Sequence, residues 1–238
     1  MSGARLRALG LVVLIAALSA LTYAQLRQAH SSTADPGQRP TLLLLTSLPL
    51  VFGESFSLEG TGSPALTALQ SSYRVIPISV TDPAELAKGR MLLMAQPQAQ
   101  RPDDLVALDK WVRGGGRLML LADPMLEWPS QRPLGDRLRP PPMFIDTGLL
   151  AHWGLRLEAP NERGAMASKL GGYPVLTISP GRLSGSCNIS KDRIAARCRL
   201  GRGRAAIVAD ADLLNVERLG TAGSHNLEGL LAEFKRLE

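Results

Sequence analysis

Three apolar runs constrain this chain most: TLLLLT at 41–46, RMLLMA at 90–95 and RLMLLAD at 117–123. Each is too short to cross a membrane and too continuous for a strand with one face in water. Such runs suit parallel strands buried on both faces, and a sheet of that kind needs helices to cover it. The residues between the runs supply them. Ser63 and Pro64 open PALTALQSS, with a capping hydroxyl before Pro at the first helical position. DPAELAKG at 82–89 predicts one or two turns. In RPDDLVALDKWVRGGG, Pro102, Asp103 and Asp104 fill a first turn, Leu105, Leu108 and Val112 recur on one side, and Gly114 ends the helix.

RVIPISV at 74–80 predicts a further strand. Strands alternating with helices of these lengths imply right-handed crossovers and an α/β, flavodoxin-like, doubly wound and mainly parallel sheet. The stretch 124–145 holds six prolines and reads as an ordered surface loop. Asp146 caps TGLLAHW, which Gly154 stops. After LRLEA the runs 173–179, 194–200 and 204–210 predict an antiparallel extension that rejoins the main sheet through RAAIVAD. HNLEGLLAEFKRL closes the chain as a helix, with Leu227, Leu230, Leu231 and Phe234 on one face.

Ahead of this domain, Arg5 and Arg7 precede ALGLVVLIAALSALTYA at 8–24, which carries no charge. That is an export signal, and the positive residues before it place the N-terminus in the cytoplasm. Seventeen residues span about 25 Å as a helix, the lower limit for a membrane crossing. The length favours a retained anchor, whereas Thr22 and Ala24 also permit cleavage after Ala24, which would leave a soluble periplasmic protein. The expected organisation is a signal anchor or signal peptide at 1–24, a polar tether at 25–40 and one α/β domain at 41–238.

Cys187 and Cys198 are the only cysteines of the 238 residues. Two cysteines in an exported domain predict one bridge. A metal pair or a nucleophile are the competing readings, but no His or further Cys stands nearby in the sequence to complete either.

Several residues carry potential chemistry. Asp123 ends one predicted strand, and Asp210 with Asp212 ends another, where an open parallel sheet forms its ligand crevice. They could share a divalent cation or an acid/base task, or cap the turns that follow. Gly60, Gly62 and Ala65 with Asp82 imitate a dinucleotide fingerprint, but more than a dozen residues separate them from Thr46, and the motif needs a turn directly off the strand. Ser47, Ser55 and Cys187 are candidate nucleophiles, and His152 and His225 candidate bases, yet no nucleophile elbow is present. His225 reads instead as an N-terminal residue of the last helix and His152 as a packing residue.

The net charge is +6. From Arg182 to Arg204, seven basic residues stand against the single acid Asp192. Outside a membrane this pattern predicts binding to anionic headgroups or an acidic protein through Arg193, Arg197 and Arg199, rather than to nucleic acid; a solvated hairpin face is the alternative.

The phrases LVALDKWVRGGGRLMLLADPML, LLAHWGLRLE, GRGRAAIVADADLLN and HNLEGLL, in that order, resemble the exported domain of the GldG-like family of ABC-transporter auxiliary proteins over residues 41 to 237. The resemblance implies an amidotransferase-like fold, preceded here by one N-terminal transmembrane helix. In related amidotransferases the nucleophile is a cysteine on a sharp turn after a central strand; the corresponding turns here read LLMAQP and LLADPM, so glutamine hydrolysis is not expected. The expectation is a non-catalytic periplasmic binding or scaffold domain at the inner membrane, with an ABC permease or ATPase–permease complex as partner and no cofactor. The rival readings are a metal-assisted hydrolase using Asp123, Asp210 and Asp212, and a soluble solute-binding protein.

Overall fold

A computed structural model describes residues 39–54 and 62–238. The segment 8–24, the tether up to residue 38, Ser55 and Gly60 lie outside the described residues, and among those described no helix is long and apolar enough to cross a membrane. Pro40–Glu238 forms one compact unit.

The central sheet is built from β1 (Thr41–Thr46), β2 (Arg74–Pro77), β3 (Met91–Ala95), β4 (Arg117–Leu121), β9 (Asn188–Ile189), β10 (Ala195–Leu200) and β11 (Gly203–Val208). Its order is β2-β1-β3-β4-β11-β10-β9. The first five strands are parallel, and β10 runs antiparallel to both β11 and β9. The continuous apolar runs behave as two-faced strands should. Leu42 and Leu44 enter one core, Leu43 and Leu45 the other, because successive side chains point to opposite faces. Pro77 closes β2, an edge strand where a missing amide costs little.

Helices cover both faces. α1 (Pro64–Ser72) and α6 (Thr221–Leu237) bury Leu69, Leu230 and Phe234 in the first core; α2 (Pro83–Leu86) and α3 (Pro102–Arg113) bury Leu86, Leu108 and Val112 in the second. The local signals act as read. Ser63 Oγ accepts the Leu66 amide at 3.1 Å, Asp82 Oδ1 accepts the Glu85 amide at 2.8 Å, and Gly114 caps α3. Asp146 Oδ1 accepts the amides of Gly148 and Leu150 and so opens α4 (Leu149–His152).

Two expectations need correction. The run at 173–179 does not extend the main sheet. It forms β7 (Tyr173–Ile178), paired with β6 (Ala165–Leu170) in a separate antiparallel ribbon, while β5 (Leu155–Glu158) pairs with β8 (Arg182–Gly185) in another. The β6–β7 ribbon packs under α6, where Gly229 admits it: a Cβ there would lie 2.8 Å from Val175 Cγ1. The last helix also begins at Thr221, four residues before His225. Its first turn is small and polar, so apolar periodicity could not reveal it; it follows α5 (Val216–Leu219) directly, and Gly223 lets the two approach, with Val216 Cα only 2.7 Å from where a Cβ would stand.

Cys187 and Cys198 are joined by a disulfide with Cα atoms 4.9 Å apart. It fastens β9 to β10, where Arg197 stands opposite Asn188. The double variant Cys187→Ser/Cys198→Ser is expected to lose about 2 to 3 kcal/mol, the chain-entropy value for so short a loop. Urea unfolding of the oxidised protein and the variant reads this directly, and superimposable curves would contradict it.

Candidate functional site

The chain passes from β1 through α1 to β2 on one side, then through α2 to β3 on the other. The topological switch therefore lies between β1 and β3, and a parallel sheet opens its crevice there, beyond the strands' carboxyl ends. A cavity of about 400 Å³ occupies this position, walled by Thr46, Ser47, Phe52, Gln98, Arg132 and Leu138. Phe52 and Leu138, 83% and 67% exposed, line it beside the charged Glu54, Arg132 and Arg137.

Gln96, the first residue after β3, adopts a left-handed backbone with φ 44°, a conformation that residues other than glycine seldom hold without a local reason. It is fully buried. Its side-chain Nε2 donates to the carbonyls of Asp123 at 3.1 Å and Pro141 at 3.0 Å, and its Oε1 accepts the Asp123 amide at 3.0 Å. Both ends of the carboxamide are thus used to tie the ends of β3 and β4 to the proline-rich loop. Ser47 donates its hydroxyl to the Gln96 carbonyl. His152 lies on α4 beside Asp109 and Arg113 in the second half of α3, at the amino end of the sheet, so it cannot serve Ser47 as a base. His225 is exposed on α6, Cys187 is in the disulfide, and Asp82 is a helix cap.

The three strand-end aspartates are sealed, with exposures of 0% for Asp123 and Asp210 and 1% for Asp212. Asp123 accepts the amides of Met125 at 2.8 Å and Ala211 at 2.9 Å. Asp210 accepts those of Ile178 and Leu213, both at 2.7 Å. Asp212 Oδ2 accepts the Glu127 amide at 2.7 Å, leaving Oδ1 buried without a partner. These carboxylates staple three segments together: the loop after β4, the loop after β11 and the end of β7. Burial pushes Asp123 up to about 6, and the Glu127 charge adds to it. Burial, then the Asp123 charge, holds Asp210 well above the usual carboxylate range. Burial, then the charges of Asp123 and Glu127, raises Asp212 to about 7. Among the described residues no three His, Cys, Asp or Glu side chains could together hold a metal ion.

The basic stretch is not a free, protruding hairpin. Arg197 grips Glu233 through Nε and Nη2, the latter at 2.7 Å, and the Glu233 side chain is 1% exposed. Arg193 and Arg182 both turn to Glu158, at 3.5 Å and 3.0 Å. Of the three arginines expected to meet a partner, only Arg199 stands exposed with no hydrogen bond or ion pair among the described residues.

Sequence reasoning passed over Gln96 and Asn226. Asn226 is buried in α6, donates to the carbonyls of Leu176 and Leu213, and accepts the Leu176 amide. A polar amide next to Leu227, in step with Leu230 and Phe234 on the buried face of α6, was the available signal.

No family model matches the chain, and no curated protein matches it. Solved structures do. The exo-β-1,4-mannosidase Op5Man5 from an Opitutaceae bacterium aligns with a TM-score of 0.52 at 11% identity over 84% of this chain, which spans only 36% of that enzyme's length. The N-terminal domain of mmIFT52 aligns with a TM-score of 0.53 at 13% identity, covering 83% of this chain and 98% of that domain. Cytoplasmic protein STM3548 from Salmonella typhimurium aligns at 0.52 and 8% identity, covering 82% and 98%. At these identities the likeness is one of fold alone.

Proposed function

We propose that this chain is a non-catalytic binding or scaffold domain of an ABC-type transport system, held at the inner membrane by residues 8–24 with its flavodoxin-like, amidotransferase-like domain in the periplasm. The observation that carries the non-catalytic part is Gln96. A strained turn after a central strand is where an amidotransferase-like fold would hold a nucleophile. Here that turn carries a carboxamide whose two ends are consumed by backbone partners. The neighbouring Ser47 donates its hydroxyl to a backbone carbonyl rather than to a base among the described residues, and the aspartates of the crevice end are closed to solvent. What remains at the switch point is a cleft where exposed Phe52 and Leu138 stand beside charged side chains, which suits holding a partner segment better than transforming a substrate.

The disulfide supports an exported domain, since such bonds persist in oxidising compartments. The transport assignment draws on the GldG-like resemblance.

Extraction of the full chain from membranes in mild detergent tests this reading. A polytopic permease and an ATP-binding subunit are expected to copurify, and intact mass is expected to begin near Met1. Recovery without either subunit would count against the transport role, and a mature start at Gln25 against the anchor.

A further inference from the structure

An arginine stands at the start of nearly every parallel strand. Arg74 opens β2, Arg90 precedes β3, Arg117 opens β4 and Arg204 follows the first residue of β11. Met91 pairs with Arg117, Arg117 with Arg204, and Arg204 with Arg199 on β10, so three arginines stand in a row on strands about 4.8 Å apart. Arg74, opposite Thr41, and Arg90, one residue before Met91, lie one position earlier and on the other face, so that arginines surround the amino end of the sheet. Arg236, near the end of α6, joins it, because Arg204 Nη1 donates to the Arg236 carbonyl at 3.1 Å.

Among the described residues no ion pair joins an acid to these arginines. Glu233 is taken by Arg197, Asp109 by Arg113 at 2.9 Å and Glu85 by Lys88; Glu238 accepts the Tyr73 hydroxyl and keeps its charge. Burial, then the charges of Arg204 and Arg90, lowers the Arg117 pKa from its ordinary value, which is the mark of cations crowding one another. Beside the row lies a cavity of about 580 Å³ whose walls include Arg197, Arg199, Arg204 and Arg236 against the single acid Glu233, a balance of 4 − 1 = +3. It is wide enough for a phosphate headgroup.

The position of the row matters as much as its charge. β1 begins at Thr41 on this same end of the sheet, so the chain enters the domain beside Arg74 and Arg90. The 16 residues from 25 to 40 separate that entry point from the apolar segment at 8–24, and even fully extended they reach at most about 55 Å.

We propose that the amino end of the sheet is a membrane-facing surface, on which Arg90, Arg117, Arg199, Arg204 and Arg236 dock the domain against anionic phospholipid headgroups. The surface rests on the reading of residues 8–24 as an anchor, and it leaves the opposite end, with the switch-point cleft, turned outward for a partner.

The test uses the full chain in nanodiscs of phosphatidylcholine, alone or with one third phosphatidylglycerol. Hydrogen exchange at the amides of 88–91, 113–117 and 200–204 is expected to slow at least threefold in the anionic discs. The effect should fade in 0.5 M salt, because surface charges are then screened. Arg90→Glu/Arg199→Glu should abolish it while leaving the melting temperature unchanged, since these exposed side chains make no hydrogen bond or ion pair among the described residues. Equal exchange in both discs overturns the proposal, and protection that appears only on adding an acidic protein overturns it in favour of a protein partner. Should the mature chain begin at Gln25, the anchor reading fails by itself. Flotation of that processed protein with the same two lipid compositions then decides the surface: binding to anionic vesicles alone sustains it, and no binding overturns it.

Discussion

Arg197→Met is expected to destabilise the domain by about 3 to 5 kcal/mol, the usual cost of stranding one partner of a buried ion pair. The Glu233 carboxylate it leaves behind is 1% exposed and would keep only the Gly171 amide, at 3.1 Å. The double variant Arg197→Met/Glu233→Leu should recover most of the loss, because no charge then remains in the apolar layer between β10 and α6. Arg199→Glu, one strand position from Leu200 but facing solvent, should change stability by less than about 0.5 kcal/mol. Urea midpoints of the three proteins check this. Equal midpoints for Arg197→Met and Arg199→Glu would mean that the pair contributes nothing. This contrast also separates residues that the charge pattern of 182–204 presents as equivalent.

Stability is expected to fall as pH rises from about 4 to 7, against the usual trend for globular domains. Asp123 and Asp212 titrate at about 6 and 7 in the folded chain, and Asp210 is raised as well, whereas an unfolded aspartate titrates near 3.9. In that window the folded state holds protons that the unfolded state has released. The slope of unfolding free energy with pH follows protons bound unfolded minus protons bound folded, and is therefore negative. The three groups share one buried cluster, so the whole effect is on the order of 3 kcal/mol between pH 5 and 8 rather than the sum of separate shifts. The Asp109 carboxyl, lowered by Trp153 and Arg113 against its burial, acts in the opposite sense only below about pH 4.

Asp212→Asn isolates the cause. The carboxamide oxygen can still accept the Glu127 amide and the charge beside Asp123 is gone, while the NH2 group takes the place of the partnerless Oδ1. At pH 8 the variant should be about 1 to 2 kcal/mol more stable than the parent, with a shallower pH slope, and at pH 4.5 the two should coincide. Chemical denaturation at several pH values reads both. A parent whose stability is flat from pH 5 to 8 would show that the cluster ionises freely, and the burial argument would then be wrong.

Much of the frame was legible in short stretches of chain. TLLLLT could be read as a two-faced strand because four consecutive leucines leave no face for water, and Leu42 to Leu45 indeed divide between the two cores. Ser63 with Pro64, and Asp82 with Pro83, announced their helices because a cap is a contact three residues long. The β6–β7 ribbon was not legible as a separate unit. Tyr173–Ile178 has an ordinary strand pattern, and nothing within it says that its neighbour is β6 rather than β10. The start of α6 escaped for the opposite reason, since Thr221 to Ser224 hold no apolar residue large enough to mark a face.

The sequence by itself determined the long core strands, most of the helices that cover them, and that Cys187 and Cys198 fall within one hairpin's reach, because those outcomes depend on hydrophobic period and caps over a few residues; β6, β8, β9 and α5 carried no such signal. Tertiary structure alone decided what the charged and polar residues do. Asp123 and Asp210 became staples because Ala211 and Ile178 bring amides to them from other segments. Arg197 became structural because Glu233, 36 residues away, is buried beneath it. Gln96 fills the strained turn because Asp123 and Pro141 face it. The arginines at 74, 90, 117 and 204 are scattered along the chain, and only parallel pairing gathers them at one end of the sheet. A side chain's charge is local, but its role is set by what burial removes from water and by which distant group arrives to replace that water, and neither is written in the neighbouring residues.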